Sequence, residues 1–362
     1  MSKDVATFAA GTIHNPCTVS KTPQMVPSRR MMIKYPARLE AMALDPAKIA
    51  TNDSLVYTAG QIDVCVGLYK TVTVTIDETK PSELIITPTT GRRTLVLHAA
   101  RMMQKALDIR GQLTVDVKDE AGLRHCGLGS SSGTIASVAS AINELYGHPI
   151  AAHDLSLYCA QNHGEEIDGS DDTLTAVQCI GGSVVCGNYE GGIIVLAGEA
   201  TPIAQVKIPT DYSIVIGVPN DFDHPDSLDL MQREEDNMKA FITTGEAYGP
   251  QIAYRLVHDV LPALALGNFA PCKSLVFDYR WDMGSIRNCS FVLPRINDIA
   301  EALRPLQEDS AVIMLSLSSV GPGFFAITTD PVRIRTLFEA QHMTTIETVV
   351  HNGTYKIGDI DG

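Results

Sequence analysis

The 362-residue sequence is short of cations and has no long uninterrupted apolar run. Lys and Arg total 28 against 42 Asp and Glu, giving a formal net charge of -14. Nucleic-acid binding needs a dense cationic surface, and this balance argues against one. The apolar stretch nearest to membrane length, 311–327, is interrupted by serines, Gly321 and Pro322, so we predict no transmembrane helix. We therefore expect neither a nucleic acid nor a membrane as partner.

A second absence concerns cysteine pairing. The eight cysteines are spread along the chain without a C-x-x-C pair. This spacing argues against a zinc site or a disulfide framework and predicts reduced, mostly buried thiols. The N-terminus also lacks the basic-then-apolar pattern of a signal peptide, and we expect a cytoplasmic protein.

The composition that is present is globular, with 45% hydrophobic and 19% charged residues. The length suits about two domains. We divide the chain into an N-terminal arm, residues 1–30, and two domains, 31–205 and 206–362. Strands and helices are mixed without regular βαβ alternation, so we predict α+β domains rather than a doubly wound parallel sheet.

Hydrophobic periodicity and turn residues predict the elements. The predicted strands are 31–39, 62–76, 113–117, 212–218, 312–317 and 324–328. The predicted helices are 92–107, one ending near Leu145, 154–163, 226–241, 246–266, 295–303 and one opened by Pro331. Residues 181–198 and 349–357 are predicted to be hairpins, because Gly-Gly and Asn-Gly pairs are typical of tight turns.

The most informative segment is HCGLGSSSGT, 125–134, between a predicted strand and a predicted helix. Its glycines allow a tight turn with outward N–H groups, and the helix N-terminus behind adds partial positive charge. Such a loop suits phosphate or pyrophosphate. Ser130 or Ser131 can also reach a phosphate-bound Mg²⁺, which prefers oxygen ligands.

Two other interpretations of this loop stay open. It is an ordinary Gly/Ser loop that caps a helix, or it is a nucleophile elbow, since Gly129 to Gly133 reads G-x-S-x-G with Ser131 in the middle. The segment matches neither G-x-x-x-x-G-K-[ST] nor G-x-G-x-x-G, which removes the main support for P-loop and Rossmann sites.

The same segment resembles the P-x-x-x-G-L-G-S-S motif of the GHMP kinase superfamily, whose loop holds nucleotide phosphates. Three further segments resemble its non-kinase branch, the β-ribofuranosylaminobenzene 5'-phosphate synthases. They are YPARLEAMALDP (35–46), GQIDVCVGL (60–68) and LSLSSVGPGFFAITTD (315–330). The resemblance implies a two-domain GHMP-type fold, with a ribosomal protein S5 domain 2-like N-terminal domain and a ferredoxin-like C-terminal domain.

Departures from the family patterns are also informative. GHMP kinases place a catalytic Asp with six residues between it and the Gly-Gly pair that is here Gly181-Gly182, and that position holds Leu174. The R-S-G-I-G motif of the synthase branch is replaced by GSDDTL, 169–174. These departures favour a relative with a different acceptor, similar to the C-nucleoside synthases of the formycin and pyrazofurin type.

The resemblance implies a particular reaction. Phosphoribosyl pyrophosphate (PRPP) loses pyrophosphate, the ring carbon of an aryl or heteroaryl carboxylic acid attacks ribose C1, and CO₂ departs. The implied cofactor is Mg²⁺, and we also expect a homodimer. An ATP-dependent small-molecule kinase of the same fold, a serine hydrolase using Ser131, and a non-catalytic relative are the alternatives.

The resemblance and the residue chemistry together suggest site residues, each with a structural alternative. The expected catalytic residues are His125, Asp63 and Arg38, with Arg38 orienting the carboxylate. The expected substrate-binding residues are Gly127, Leu128, Gly129, Ser130, Ser131, Ser132, Gly133, Ser319, Gly321, Arg280 and Arg287. The expected metal ligands are Ser130, Asp171 and Asp172. Glu234 and Glu235 are expected on a solvated helix face.

Overall fold

The computed structural model describes residues 7–18, 30–48, 59–123, 125–223 and 225–358. Its strands are β1 (Thr7–Ala9), β2 (Arg30–Ala43), β3 (Gln61–Asp77), β4 (Glu83–Ile86), β5 (Gln112–Asp119), β6 (Gly164–Glu166), β7 (Thr173–Ala176), β8 (Ile193–Leu196), β9 (Pro202–Val206), β10 (Ser213–Pro219), β11 (Val312–Leu317), β12 (Phe324–Thr328), β13 (Met343–Val349) and β14 (Lys356–Ile357). Its helices are α1 (Arg93–Leu107), α2 (Ser130–Leu145), α3 (Ala152–Gln161), α4 (Gly182–Asn188), α5 (Ser227–Arg255), α6 (Leu261–Ala265), α7 (Ala270–Arg280), α8 (Ser285–Asn288), α9 (Ile296–Leu303) and α10 (Pro331–Glu339). A π-helical turn, Leu256–Val260, joins α5 to α6, and a 3-10 turn, Arg304–Glu308, follows α9. None of the helices in these ranges is long and apolar enough to cross a bilayer.

A seven-stranded sheet built mainly from the first half of the chain positions the site. Across it lie β14, β2, β3, β5 and β4, while β8 pairs with β3 and carries β9. In the long antiparallel register of β2 and β3, Arg38 is opposite Cys65 and Glu40 is opposite Asp63. Because opposed residues project from the same face of a sheet, this register brings Arg38, Glu40 and Asp63 together.

Helices α1 and α2 pack on this sheet. Ile135, Val138 and Ile142 of α2 are buried in one cluster with Val72 and Val115 of the strands. Their helical spacing is the periodicity from which the helix was predicted. The helix that follows the glycine-serine loop is therefore fixed by apolar packing behind its N-terminus.

The second half of the chain forms a four-stranded antiparallel sheet in the order β11-β12-β10-β13. Helix α7 packs on β11, and α10 packs on β10 and β13. This strand order, with helices after the first and third strands, is that of a βαββαβ ferredoxin-like unit. The prediction of an α+β fold is confirmed. The boundary at residue 206 stays a prediction, and β14 returns from the second half to pair with β2 in the first sheet.

One predicted hairpin is wrong because a short buried helix lies in its place. Within 181–198, residues 182–187 of α4 are all buried, and only Ile193–Leu196 forms a strand. An apolar run that is buried on every side carries no periodicity that separates a helix from a strand.

The C-terminal hairpin at 349–357 is also wrong, because the strands on its two sides join different sheets. β13 pairs with β10, whereas β14 pairs with β2. Asn352 does not close a two-residue turn: its Oδ1 accepts from Ile208 N at 2.9 Å and its Nδ2 donates to Ile208 O at 2.8 Å. The Asn-Gly pair therefore marks a crossover between the sheets.

The two helices predicted at 226–241 and 246–266 are one continuous helix, α5, which ends at Arg255 before the π-helical turn and α6. Gly245, between the two predicted ranges, lies inside α5 where a Cβ would come 2.7 Å from Ala47 Cβ. Glycine is needed here because α5 packs closely against Ala47, and not because the helix ends. Helix α7 was not predicted at all.

The predicted arm is partly outside the described residues, at 1–6 and 19–29. Residues 7–18 pack on this chain, since β1 pairs with β7 and Gly11 N donates to His98 Nδ1 at 2.8 Å.

Candidate functional site

The glycine-serine loop turns the chain into α2. Gly127 and Gly129 have φ values of 81° and 60°, in the left-handed region that favours glycine. Helix α2 begins at Ser130 with no side-chain hydrogen bond to its N-terminus and no acidic residue in its first turn. Such an N-terminus offers N–H groups and partial positive charge to an anion.

Ser318, at the end of β11, holds this loop against the second sheet. Its Oγ donates to Gly127 O at 2.6 Å and accepts from the Glu40 N–H at 3.0 Å. A Cβ on Gly127 would lie 2.6 Å from Ser318 Cβ, so only glycine allows this approach. The loop, β2 and the β11–β12 turn therefore meet at one point.

A cavity of about 310 Å³ opens where these segments meet α5. Its polar lining includes Arg38, Glu40, Gln61, His125, Ser130, Ser131, Ser132, His163, Glu165, Glu234, Arg280 and Ser319. Gly127, Leu128, Gly129 and Gly321 supply backbone to the same lining. This volume matches the lower end of small-molecule sites.

Arg38 is held in this cavity by two carboxylates. Its Nη1 lies 3.4 Å from Glu40 Oε2, and its Nε lies 3.6 Å from Asp63 Oδ1. The Nε atom is buried and has no hydrogen-bond partner among the described residues. Burial disfavours the charge of the guanidinium, but Asp63 and Glu40 raise its pKa. Arg38 therefore presents a charged donor with unused hydrogen-bonding capacity.

Asp63 lies behind Arg38 and is completely buried. Both of its oxygens accept from Gln61 Nε2 at 2.7 Å. Burial raises the pKa of Asp63 to about 7, although Arg38 and the Gln61 hydrogen bond act in the opposite direction. Gly182 leaves room for this pair, because a Cβ there would overlap Gln61 Nε2 and Asp63 Oδ2.

On the other side of the loop, Arg92 connects it to β6. Its Nη2 donates to Glu165 Oε1 at 2.8 Å, its Nε to Glu166 Oε2 at 2.7 Å and its Nη1 to Ser130 Oγ at 3.0 Å. Ser131 Oγ also donates to Glu165 Oε1, at 2.5 Å. Burial raises the pKa of Glu165, but Arg92 and His163 outweigh it and leave the pKa below its ordinary value.

These contacts argue against the nucleophile elbow. Such an elbow presents its serine at the tip of a strand-to-helix turn, with a histidine as base. Ser131 instead lies in the first turn of α2 and donates to a carboxylate.

The expectation for Glu234 is wrong, although its neighbour Glu235 is exposed as predicted. Glu234 lies on the cavity face of α5. Burial, with smaller effects from Glu165 and Glu40, raises its pKa to about 7.

Most of the sequence-predicted residues line the cavity, but Asp63, Gly133, Arg287, Asp171 and Asp172 do not. Arg287 is exposed and lines a separate small cavity beside Trp281. Asp171 and Asp172 are exposed in the loop before β7 and are not part of the cavity lining. Ser130 alone of the three predicted metal ligands is at the cavity.

Arg280 reaches the cavity lining but is engaged by the protein itself. Its Nε donates to Ala41 O at 2.8 Å, its Nη1 to Ser319 O at 2.9 Å and its Nη2 to Glu40 O at 3.2 Å. This geometry favours tying β2 to the β11–β12 turn over binding a substrate carboxylate. His125, which has a φ of 55°, lies beside the first residue of α5, with its Nε2 3.4 Å from Ser227 Oγ.

The sequence and the fold were compared with those of known proteins. Residues 94–179, which contain the loop, match the family model of the GHMP kinases N terminal domain. Homoserine kinase from Cytophaga hutchinsonii superposes with a TM-score of 0.59 at 15% identity, covering 92% of this chain and 98% of that one. The fold is that of the GHMP kinases. No curated protein matches the sequence.

Other GHMP-type structures show the same likeness. Mevalonate pyrophosphate decarboxylase from Streptococcus pyogenes has a TM-score of 0.62 at 14% identity, covering 91% of this chain and 98% of that one. A structure described as MDDEF in complex with MVAPP, AMPPCP and magnesium has a TM-score of 0.57 at 14% identity, covering 91% and 99%. At these identities the likeness shows the fold alone, and the family model matches residues 94–179, the segment that carries the loop.

Within this GHMP-type fold, Leu174 is not a site residue. It is fully buried in β7, opposite Phe8 of β1 and Glu166 of β6. An acid that contacts the loop is instead Glu165, which accepts from Ser131 Oγ, and Asp63 lies behind Arg38. Leu174, which occupies the position of the kinase aspartate in the motif, is thus part of the apolar core.

Sequence reasoning missed Gln61, Arg92, Glu165 and Glu234. Gln61 and Glu165 each carried a signal, because Gln61 is two residues before Asp63 on the same strand face and Glu165 follows His163 in a polar HGEE segment. Arg92 carried no such signal, because nothing in the sequence distinguishes it from Arg93 at the start of the same helix.

Asp63 predicts an unusual pH dependence of stability. Its folded pKa of about 7 lies above its ordinary value of 3.8, so the native state binds more protons between these values. The free energy of unfolding therefore falls as pH rises from about 4 to about 7, by on the order of 4 kcal/mol at most. Urea unfolding of the wild type and Asp63→Asn across this range measures it. Parallel pH profiles for the two proteins would show that Asp63 stays ionised beside Arg38.

Proposed function

We propose that the protein is a PRPP-dependent C-ribosyltransferase that joins ribose C1 to an aromatic or heteroaromatic carboxylic acid. The bond from C1 to the pyrophosphate oxygen breaks, and its electron pair leaves with pyrophosphate. The ring carbon bearing the carboxylate bonds to C1, and the pair of the C–CO₂ bond returns to the ring as CO₂ leaves. Charge and atoms balance without a proton acceptor.

The observation that carries the proposal is the placement of Arg38 beside the uncapped N-terminus of α2. A Cβ on Gly129 would lie 3.2 Å from Arg38 Nε, so the guanidinium lies against the loop backbone. One cavity thus combines a helix N-terminus of a kind suited to a diphosphate with a buried cation of a kind suited to a carboxylate, and this supports the proposal. In a closed, low-dielectric site, donors fixed in this way stabilise charge on the leaving group.

The donor set fits a Mg²⁺ ion that arrives with the substrate. Among the described residues, no group of three His, Cys, Asp or Glu side chains can hold a metal by itself. Mg²⁺ in phosphoryl sites is commonly bound by one or two carboxylates together with substrate phosphates, and Ser130 and Glu165 offer such oxygens beside the loop. When bound, the ion would neutralise charge on the departing pyrophosphate. Asp171 and Asp172 are exposed and lie outside the cavity lining, so we do not include these two predicted metal ligands in the proposed site.

The kinase alternative shares the fold but lacks a specific supporting residue. The position counted for the kinase aspartate is buried Leu174, which can neither accept a proton nor bind metal.

The proposal also keeps the cytoplasmic homodimer expected from the sequence; all eight cysteines are free thiols, which agrees with a reducing compartment.

The direct test incubates the protein with PRPP, Mg²⁺ and a panel of benzoate and pyrazole carboxylic acids. Mass spectrometry should find a ribosylated product lacking one carboxyl group, with one pyrophosphate released per product. ATP with a sugar or small alcohol is the control reaction. Phosphorylation of a control substrate without any C-riboside would replace the proposal by the kinase function.

Arg38→Lys should separate carboxylate binding from the rest of the reaction. Lysine keeps the charge but loses the planar fork, so we expect kcat/KM for the carboxylic acid to fall about 10- to 100-fold, as loss of a charge-assisted hydrogen bond implies. Arg110→Lys, the same change at an exposed arginine, is the matched control. Unchanged KM for the acid in Arg38→Lys would remove Arg38 from its binding site.

A further inference from the structure

Helix α5 gives the cavity a wall that differs from the loop and the sheet. Leu230, Met231, Met238 and Phe241 line the cavity together with Val320 from the β11–β12 turn. Their spacing along α5 places them on one helical face. The wall is therefore apolar and suits the flat face of an aromatic ring.

Glu234 is the exception on this apolar wall. It follows Leu230 by four residues and precedes Met238 by four, so all three share the helix face. Among the described residues it makes no hydrogen bond and no ion pair, and the charges that act on its pKa are the carboxylates of Glu165 and Glu40, which both raise it. A partly buried carboxyl group among apolar side chains is costly unless something donates to it.

The residues that the structure describes supply no such donor. Arg92 is paired with Glu165 and Glu166. Arg38, whose carboxylate partners are Glu40 and Asp63, is not among the charges that act on Glu234. Arg280 uses its donors on the backbone carbonyls of β2 and Ser319. A metal shared by Glu234 and the other acids is not supported, because no three described acidic, His or Cys side chains form a metal-holding group.

We propose that Glu234 accepts a hydrogen bond from an N–H group of the acceptor ring, and so selects N–H-bearing aromatic acids over isosteres that lack the donor. This inference rests on the proposed function, since it takes the acceptor to be a carboxylic acid held by Arg38. The ring then lies on the apolar face of α5, with its carboxylate toward the sheet wall and its N–H toward Glu234. An acid without the N–H leaves Glu234 unpaired, which is the arrangement that gives strong discrimination.

Isothermal titration with two isosteric probes tests this without turnover. Pyrrole-3-carboxylate carries a ring N–H, and furan-3-carboxylate carries an oxygen in its place. We expect the wild type, with pyrophosphate and Mg²⁺ present, to bind the pyrrole acid about a hundredfold tighter than the furan acid. Glu234→Leu should reduce this preference to less than about threefold, while Glu234→Gln, which keeps a carbonyl acceptor, should retain part of it.

Glu235→Leu is the matched control, since Glu235 is the exposed neighbour on the same helix, and it should keep the wild-type preference. A second readout guards against misfolding: without ligand, Glu234→Leu should unfold at the same or a higher temperature than the wild type, because it removes an unpaired carboxyl group. Equal binding of both probes by a protein that forms C-ribosides would overturn the role of Glu234 and leave the proposed function intact. If neither probe binds and no C-riboside forms, both proposals are wrong.

Discussion

Gly129→Ala is expected to abolish pyrophosphate release. The new Cβ would overlap Ser183 Oγ and lie 3.2 Å from Arg38 Nε, and the residue would have to keep a φ of 60°. Either the loop or Arg38 must move, and both are needed at the same anion. Loss of even one preorganised donor of this kind costs about a hundredfold in rate. Pyrophosphate release with PRPP and the best acceptor measures the effect.

The chain offers a close control in Gly122. It also has a φ of 60°, but a Cβ there meets nothing within 4 Å. Gly122→Ala therefore carries the backbone cost alone, roughly 1–2 kcal/mol of stability, and should retain activity. Full activity in Gly129→Ala would remove the loop from the mechanism, and equal losses in both variants would trace the effect to backbone strain.

Local patterns were sufficient for the elements that have one buried face. In β3, burial alternates from Val72 to Ile76 as the sequence pattern predicts, whereas residues 61–66 are buried on both faces. Helices α2 and α4 are both buried on nearly every side, and only α2, with 16 residues against 7 in α4, is long enough to show a helical repeat. The glycine at position 245 inside α5 is explained by its close approach to Ala47, a residue distant in sequence that no local pattern reveals.

The candidate site likewise contains features that the sequence alone reveals and features that depend on the fold. The loop was recognisable because its chemistry lies in consecutive residues, 125–133. The partners of Arg38 were not, since they depend on the β2–β3 register, which places Glu40 opposite Asp63. Arg38 and Arg280 are also alike as residue types. Only the folded chain shows that Arg280 donates to carbonyls of β2 and Ser319, whereas Arg38 keeps an unused Nε.

Glu234 and Glu235 show most clearly what a single chain segment cannot reveal. They are adjacent and identical, and a charged helix face predicts the same solvated role for both. Their difference arises from the orientation of α5 toward the loop, the β2 strand and the β11–β12 turn. Those three segments are separated by long stretches of sequence, so no local pattern contains the information.

Arg92→Ala is expected to be the most destabilising single change near the site. The Arg92 side chain is 8% exposed, and those of Glu165 and Glu166 are 15% and 13% exposed. Truncation leaves two mostly buried carboxylates without their cation and frees Ser130 from its donor. Breaking such a pair from one side costs about 3–5 kcal/mol. Urea or thermal unfolding at neutral pH measures it, with Arg93→Ala, the exposed neighbour, expected to change stability by about 1 kcal/mol or less.

The pH dependence identifies the cause of that loss. The pKa of Glu165 is held below its ordinary value of 4.5 despite burial, chiefly by Arg92. The contribution of the pair is therefore present above this value and lost as pH falls below it. The gap between wild type and Arg92→Ala should close in acid, and Glu165→Gln should restore part of the stability of Arg92→Ala at neutral pH, because it removes the uncompensated charge. A gap that persists unchanged in acid, with no rescue by Glu165→Gln, would show that Arg92 stabilises the fold by packing and that the loop does not depend on this ion pair.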